Sequence, residues 1–248
     1  MTHSGHRPSA LVYRGPASQP GCPEAVAALL ASARWHLDVR FTGPHEALPL
    51  TARTLSHAVL YAQPGGGTLP SAYRRLRRQR GAVRDFVRDG GRYLGFCLGG
   101  YLAGSTPGFG LLPGDADQYI ASPGATVHDE RDTVIEVLWR GRPRTVFFQD
   151  GPVFVLDARA AADAGARILA TYDNGTTAAL VARYGRGRVA VTGPHPEASP
   201  DWYTDHGLPV QHTRDLERSR SSSARVRAAS PRNRCSLAKS RRFCRPDS

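Results

Sequence analysis

The chain has 248 residues, 40% of them hydrophobic, enough to bury the core of one domain of about 200 residues and little more. Its formal net charge is +12, but residues 213–248 carry 11 basic against 3 acidic residues, so residues 1–212 contribute only +4. The basic character belongs mainly to the C-terminal segment, where Phe243 is the only aromatic residue. The sequence therefore argues against specific nucleic-acid recognition.

The cysteines and the N-terminus restrict the class of protein further. The four cysteines form no CxxC pair, so the sequence predicts neither a disulfide framework nor a metal site, and nothing in it indicates a cofactor. The first residues lack the apolar segment of a secretory leader, and the chain has no run of 18 apolar residues. We predict a cytoplasmic protein without membrane contact.

The first half of the chain alternates strands with helices. The predicted elements are a strand at 9–15, a helix at 22–35, a strand at 36–43, a strand at 58–67 that ends in three glycines, a helix at 70–91 with arginines on its solvent face, and a buried strand at 92–97. Strands that alternate with helices in this way predict an α/β fold, with a mostly parallel sheet flanked by helices.

The second half of the chain changes to hairpins. Residues 133–156 and 177–193 alternate like paired strands that turn near Gly141 and Gly185. A short helix or loop and one more strand are expected between them. These hairpins predict antiparallel additions to the parallel sheet.

The predicted domain organisation has three parts. Residues 1–8 and the Arg- and Ser-rich segment 213–248 are too polar to pack and are predicted to be disordered, whereas 9–212 form one domain. Arginine outnumbers lysine 32 to 1 in the chain, which is typical of a GC-rich genome. We hypothesise that the C-terminal segment is a shifted reading frame or a recent extension.

Cys97 follows a short apolar run and has glycines at 95, 99 and 100. Small residues on both sides of a nucleophile allow a tight strand-to-helix bend that exposes the side chain at the carboxyl end of a sheet. At such a bend the following helix N-terminus favours a thiolate, and the Leu98 amide faces the oxyanion. An equally plausible interpretation is a buried cysteine beside glycines that permit close helix–strand packing.

His195 is the predicted general base. It follows a strand-like run, stands between two prolines, and has Glu197 two residues later, where an extended chain brings both side chains to the same side. A carboxylate held against the imidazole would orient it towards Cys97. His128, followed by two acidic residues, is the alternative base, and Cys22 is a further residue at the same predicted edge.

The glycines Gly65, Gly66 and Gly67 end a buried strand at the edge where Cys97 is expected. Such a turn can present backbone amides to an anion, although a simple tight turn explains the same residues. No Gly-Lys-Ser/Thr follows, which argues against a phosphate loop.

Three segments resemble, in this order and at these spacings, the class I glutamine amidotransferase-like superfamily: YAQPGGG (61–67), GRYLGFCLGGYLAG (91–104) and VTGPHPEAS (191–199). The chain looks most like the domain found at the N-terminus of eukaryotic biotin-protein ligases and as standalone bacterial proteins. The features closest to that branch are LVYRGPASQPGCPEAVAALL (11–30), the tyrosine of CLGGYLAG and GPHPEASPDWY (193–203). The resemblance covers about residues 9 to 205.

This resemblance implies a flavodoxin-like fold and a Cys-His-Glu triad at Cys97, His195 and Glu197. It also implies oxyanion donors at Gly65–Gly67 and Leu98. Active amidotransferases usually have glutamine where this chain has Tyr101, and a phenol offers fewer hydrogen bonds than a carboxamide. Glutamine itself is therefore not the expected substrate.

Two functions remain open from the sequence. The first is thiolate attack on a carboxamide or related acyl substrate; the second is a catalytically silent binding or regulatory domain of the same fold. The segment YGRGRVAV (184–191) resembles the biotinyl-adenylate loop of biotin ligases, but a hairpin turn explains it, so ligase catalysis is not predicted. Expected partners are a small-molecule substrate or ligand and an unidentified protein.

Overall fold

The computed structural model describes residues 7–210. The predicted segment 213–248, its cysteines and most of the predicted disordered N-terminus therefore lie outside the described residues. The strands are β1 (Ser9–Tyr13), β2 (Asp38–Thr42), β3 (Leu60–Gln63), β4 (Arg92–Phe96), β5 (Gly114–Gln118), β6 (Thr133–Trp139), β7 (Arg142–Phe148), β8 (Pro152–Leu156), β9 (Arg167–Tyr172), β10 (Thr177–Tyr184) and β11 (Gly187–Thr192). The helices are α1 (Cys22–Ser32), α2 (Ala52–Ser56), α3 (Leu69–Leu76), α4 (Arg80–Arg88), α5 (Leu98–Ala103), α6 (Ala158–Asp163) and α7 (Pro200–Asp205).

The strands form one mixed sheet in the order β2-β1-β3-β4-β11-β10-β9-β6-β7, with β8 joined to β10 and β5 to β8. Neighbours from β2 to β11 run parallel, and those from β11 to β7 run antiparallel. The predicted α/β class, with a parallel part and antiparallel hairpins in the second half, is confirmed. Because β3, β4 and β11 are parallel neighbours, the residues that follow them meet at one edge of the sheet.

Both faces of the parallel part are covered by the apolar faces of helices. On one face, Val26 and Leu30 of α1 pack with Ala10 and Val12 of β1. On the other face, residues of α3, α4 and α5 form a core cluster with β1, β3, β4 and β11. A parallel sheet needs this cover, since its strands are apolar on both sides. Among the described residues, no helix is long and apolar enough to span a membrane.

The single helix predicted at 70–91 is wrong, because the chain forms α3 and α4 with a turn at 77–79. Arg80 donates to the Gly108 carbonyl at 3.0 Å, and Arg84 donates to the Phe109 and Gly110 carbonyls at 2.6 Å. These contacts direct α4 towards the 108–110 loop, so two of the arginines predicted on the solvent face have structural partners. Two further elements, α2 and β5, were not predicted from the sequence.

Tyr93 links the sheet to α5, and changing it tests that link. Its ring is buried, and its hydroxyl donates to the Gly99 carbonyl at 2.7 Å. We expect Tyr93→Phe to lower the free energy of unfolding by about 1–2 kcal/mol, the usual cost of losing a buried hydrogen bond. Urea unfolding measures this change. The matched control is Tyr73→Phe, because the half-buried Tyr73 hydroxyl makes no hydrogen bond with any described residue; equal costs for both variants would contradict the prediction.

Candidate active site

Cys97 occupies a strained bend between β4 and α5. Its backbone has φ 46° and ψ −107°, a conformation that residues other than glycine rarely adopt. Its amide donates to the Thr192 carbonyl at the end of β11, at 2.9 Å. Such strain costs roughly 1–3 kcal/mol and persists where the surrounding structure imposes it, commonly at functional sites.

The glycines around Cys97 permit close approaches between main-chain segments. A side chain at Gly95 would collide with the Gly99 carbonyl, and one at Gly99 would collide with the Gln63 carbonyl of β3. Both interpretations of these glycines therefore hold: they allow tight helix–strand packing, and they surround a sharp bend at Cys97.

His195 and Glu197 form a buried pair directly after β11. Nδ1 of His195 lies 2.8 Å from Oε1 of Glu197, and both side chains are almost completely excluded from solvent. The other carboxylate oxygen, Oε2, is also buried and has no hydrogen-bond partner among the described residues. The amide of His195 donates to the Phe147 carbonyl at 2.9 Å, and the Phe147 and Trp202 rings contact the imidazole edge to face.

The electrostatics of His195 favour its charged form. Burial lowers the pKa of His195, but the charges of Glu197 and Cys97, with side-chain hydrogen bonds to both, outweigh burial and raise it from 6.5 to about 10. Since Nδ1 is paired with Glu197, Nε2 is the ring nitrogen left to interact with Cys97. The arrangement places Cys97, His195 and Glu197 next to one another at one edge of the sheet.

The thiol of Cys97 also faces the backbone carbonyl of Gln149. Sγ of Cys97 lies 3.5 Å from the Gln149 carbonyl oxygen, in a geometry in which the thiol donates. A thiol directed at this carbonyl is in its neutral form, whereas transfer of the proton to Nε2 of His195 produces the thiolate. Gln149 was not identified from the sequence.

The glycine turn lies against the Cys97–His195 pair. A side-chain carbon at Gly65 would be 2.7 Å from Cε1 of His195 and 3.3 Å from Cβ of Cys97, so only a glycine fits there. The amides of Gly65 and Leu98 donate no hydrogen bond to any described residue. Gly66 contacts Gln19, and Gly67 is exposed at the far end of the turn.

Tyr101 lies one helical turn after Cys97. Its amide donates to the Cys97 carbonyl at 3.1 Å, and its hydroxyl donates to the Asp150 carbonyl at 3.2 Å. Burial, followed by the charges of Asp150 and Cys97, raises the pKa of Tyr101, so the phenol remains protonated. Asp150 was also missed, because no motif marks the turn between β7 and β8.

Three other candidates from the sequence are Cys22, His128 and the hairpin turn at Gly185. Cys22 begins α1 and is buried; burial, with the charges of Glu197 and Cys97, raises its pKa to about 12, so it stays a neutral thiol. His128 is exposed in a loop before β6. The hairpin turn at Gly185 is on the opposite edge of the sheet, at the start of β11. Among the described residues, no group of His, Cys, Asp or Glu is arranged to hold a metal ion.

Comparison with protein families identifies one match. Residues 9–116 match the family model described as biotin-protein ligase, N terminal. The resemblance to the biotin-protein ligase N-terminal domain is confirmed over this range, which contains Gly65, Cys97 and Tyr101 but ends before His195 and Glu197. No curated protein matches the chain.

Solved structures resemble the chain only distantly. They include an exo-β-1,4-mannosidase from Opitutaceae bacterium strain TAV5, with 17% identity over 91% of this chain and 37% of that chain and a TM-score of 0.49. A cytoplasmic protein from Salmonella typhimurium LT2 has 15% identity over 84% and 96% of the two chains, with a TM-score of 0.48. A ThuA-like protein from Bacteroides uniformis ATCC 8492 has 11% identity over 76% and 82%, with a TM-score of 0.44. The chain spans about a third of the length of the first two glycosidases it resembles, 37% and 30%.

Proposed function

We propose that this chain, whose residues 9–116 match the biotin-protein ligase N-terminal family, is a cysteine-nucleophile enzyme that acts on a carboxamide or related acyl substrate. We assign to residues 9–212 one domain of the flavodoxin-like, class I glutamine amidotransferase-like type. The observation that carries the proposal is the buried His195–Glu197 pair, 2.8 Å apart, beside Cys97 at a strained bend.

The proposed reaction starts with proton transfer from Sγ of Cys97 to Nε2 of His195. The thiolate attacks the acyl carbon, and the electron pair of the carbonyl moves to its oxygen. We assign the donors to this oxyanion to the amides of Leu98 and Gly65, which donate to no other described residue. His195 then gives its proton to the leaving amine, and the thioester is hydrolysed by a water molecule that His195 deprotonates.

A second candidate function has its own support. The Cys97 thiol donates to the Gln149 carbonyl, and Tyr101 occupies the position where active amidotransferases usually have glutamine. A site that keeps its thiol neutral in this way would bind a ligand without turnover. The alternative is therefore a binding or regulatory domain of the same fold.

A covalent-intermediate experiment separates the two functions. The full chain is incubated with a series of carboxamides and activated esters, released amine or alcohol is measured, and intact mass detects the acyl-enzyme. We expect product and an adduct mapped to Cys97, both absent in Cys97→Ala and retained in the matched variant Cys22→Ala. Ligand binding without any adduct or product would overturn the enzymatic proposal and support the binding domain.

A further inference from the structure

The helix α7 lies directly beside His195. Tyr203 of α7 is buried, and its hydroxyl accepts a hydrogen bond from the Phe147 amide at 3.1 Å. The Phe147 carbonyl accepts from the His195 amide at 2.9 Å. Phe147 therefore connects α7 to the proposed base through its own main-chain donor and acceptor.

Phe147 belongs to a strand at the end of the sheet. β7 is the last strand in the sheet order, and Phe147 forms an isolated antiparallel β-bridge with His195 beyond it. Such a bridge has room for two reciprocal main-chain hydrogen bonds. In place of the second, the Phe147 amide donates to Tyr203. The tyrosine hydroxyl thus satisfies an edge donor that a neighbouring strand would otherwise pair.

The His195 carbonyl, on the other side of this bridge, closes the turn that holds Glu197. It accepts from the Ala198 amide at 3.2 Å, and Oε1 of Glu197 lies 2.8 Å from Nδ1 of His195. Without the Tyr203 hydroxyl, the buried Phe147 amide needs another acceptor, because an unpaired buried amide is costly. Donation to the His195 carbonyl would compete with the bond that closes the turn. Loss of the hydroxyl is therefore expected to disturb the His195–Glu197 pair.

The aromatic rings of α7 act on the same imidazole. The Trp202 ring lies edge to face with the His195 ring at 5.4 Å and with the Phe147 ring at 5.3 Å. The Phe147 ring is also edge to face with the Tyr203 ring, at 5.6 Å. Two consecutive residues of α7 therefore contact the base, Trp202 directly and Tyr203 through Phe147.

We infer that α7 positions the proposed base: the Tyr203 hydroxyl fixes Phe147 at the edge of β7, and Trp202 holds the His195 ring by direct contact. Tyr203 and Trp202 are thus positioning residues. Such positioning matters because a displacement of about 1 Å at a reacting group can cost about 100-fold in rate. This inference rests on the proposed function for the role of His195, but its effect on the imidazole can be measured without turnover.

Two single variants of the full chain provide the test. Tyr203→Phe removes the hydroxyl and keeps the ring, and Trp202→Leu removes the ring contact with the imidazole. Alkylation of Cys97 by iodoacetamide is followed by peptide mass spectrometry between pH 5.5 and 9.5. We expect each variant to slow the reaction at pH 6 about fivefold or more, because the thiolate depends on the imidazolium beside it. Above about pH 9 the rates should meet those of the natural chain, since an ordinary thiol ionises there without a base.

Tyr119→Phe is the matched control. The Thr126 amide donates to the Tyr119 hydroxyl at 3.1 Å, so this variant also takes an acceptor away from a main-chain amide. It should lower the free energy of unfolding, measured with urea, and leave the pH profile of Cys97 unchanged. If Cys97 is activated in the natural chain, a Tyr203→Phe variant that loses stability but keeps the profile would show a purely structural role and overturn the inference. Trp202 is half-buried, so Trp202→Leu keeps the test valid if Tyr203→Phe does not fold.

The titration of His195 separates this inference from the proposed function. The Cε1–H resonance of His195, assigned with His195→Ala, is followed by NMR across pH in chain labelled at histidine. We expect its midpoint, which reports the pKa of His195, to fall by about one pH unit or more in both variants, because a displaced imidazole loses part of its interaction with Glu197. A fall in the variants without activation of Cys97 in the natural chain would support positioning by α7 and count against the proposed enzyme. An unchanged midpoint in both variants would overturn the inference whatever the reactivity of Cys97.

Discussion

At pH 6, His195→Ala is expected to slow the alkylation of Cys97 by iodoacetamide about 100-fold, because an ordinary cysteine is less than about 1% thiolate at this pH. In the natural chain, the proton of Cys97 can move to Nε2 of His195, which is favoured in its charged form by Glu197. In the variant, the Gln149 carbonyl is the acceptor that remains, and a carbonyl holds the thiol proton without removing it. The rate is measured by peptide mass spectrometry at several pH values.

The pH profile provides the control for this measurement. The alkylation rates of Cys97 in the natural chain and in His195→Ala should converge above about pH 9, because an ordinary thiol is largely ionised there in any case. His57→Ala is the matched variant, since His57 is exposed at the end of α2 and should not alter the rate. Equal rates at pH 6 for the natural chain and His195→Ala would mean that Gln149 retains the proton, and the binding-domain alternative would be preferred.

The centre of this site was predictable because its residues follow strands directly. Gly65, Cys97 and His195 come after β3, β4 and β11, and parallel neighbours deliver the residues that follow them to one sheet edge. His195 could be preferred to His128 for the same reason. A strand precedes His195 immediately, whereas His128 lies in a long polar loop.

Other parts of the site depend on tertiary contacts that spacing does not reveal. Gln149 and Asp150 lie between β7 and β8, which do not pair with each other, since β8 pairs with β10 and β5 instead. The break between α3 and α4 has a similar origin, since Arg84 donates to carbonyls about 25 residues away. Such contacts override the local helical pattern of 70–91.

The strained bend at Cys97 and the 149–150 turn are both tied to their surroundings by hydrogen bonds. The Cys97 bend is tied to the end of β11 through the Thr192 carbonyl, and α5 is tied to the 149–150 turn through Tyr101. Tyr101, at the position where the resemblance would place glutamine, therefore links α5 to the turn between β7 and β8.

Glu197→Gln is expected to remove most of the pH dependence of stability that His195 confers. The folded-state pKa of His195 is raised from 6.5 to about 10, so its contribution is fully present below pH 6.5 and is lost as the pH rises towards 10. Each pKa unit corresponds to about 1.4 kcal/mol, so the natural chain should lose on the order of 4 kcal/mol across this window. The free energy of unfolding is measured with urea at intervals between pH 6.5 and 9.5. Its slope against pH is then compared between the natural chain and Glu197→Gln.

The comparison depends on a carboxylate control away from the site. Glu46 pairs with Arg14 at 2.7 Å, and this hydrogen bond lowers the pKa of Glu46, so the contribution of that pair is constant above about pH 4.5. Glu46→Gln should therefore shift stability by a similar amount at every pH in the window, whereas Glu197→Gln should flatten the curve. Parallel curves for Glu197→Gln and the natural chain would show that Glu197 does not hold His195 in its charged form, and the proposed triad would lose its orienting carboxylate.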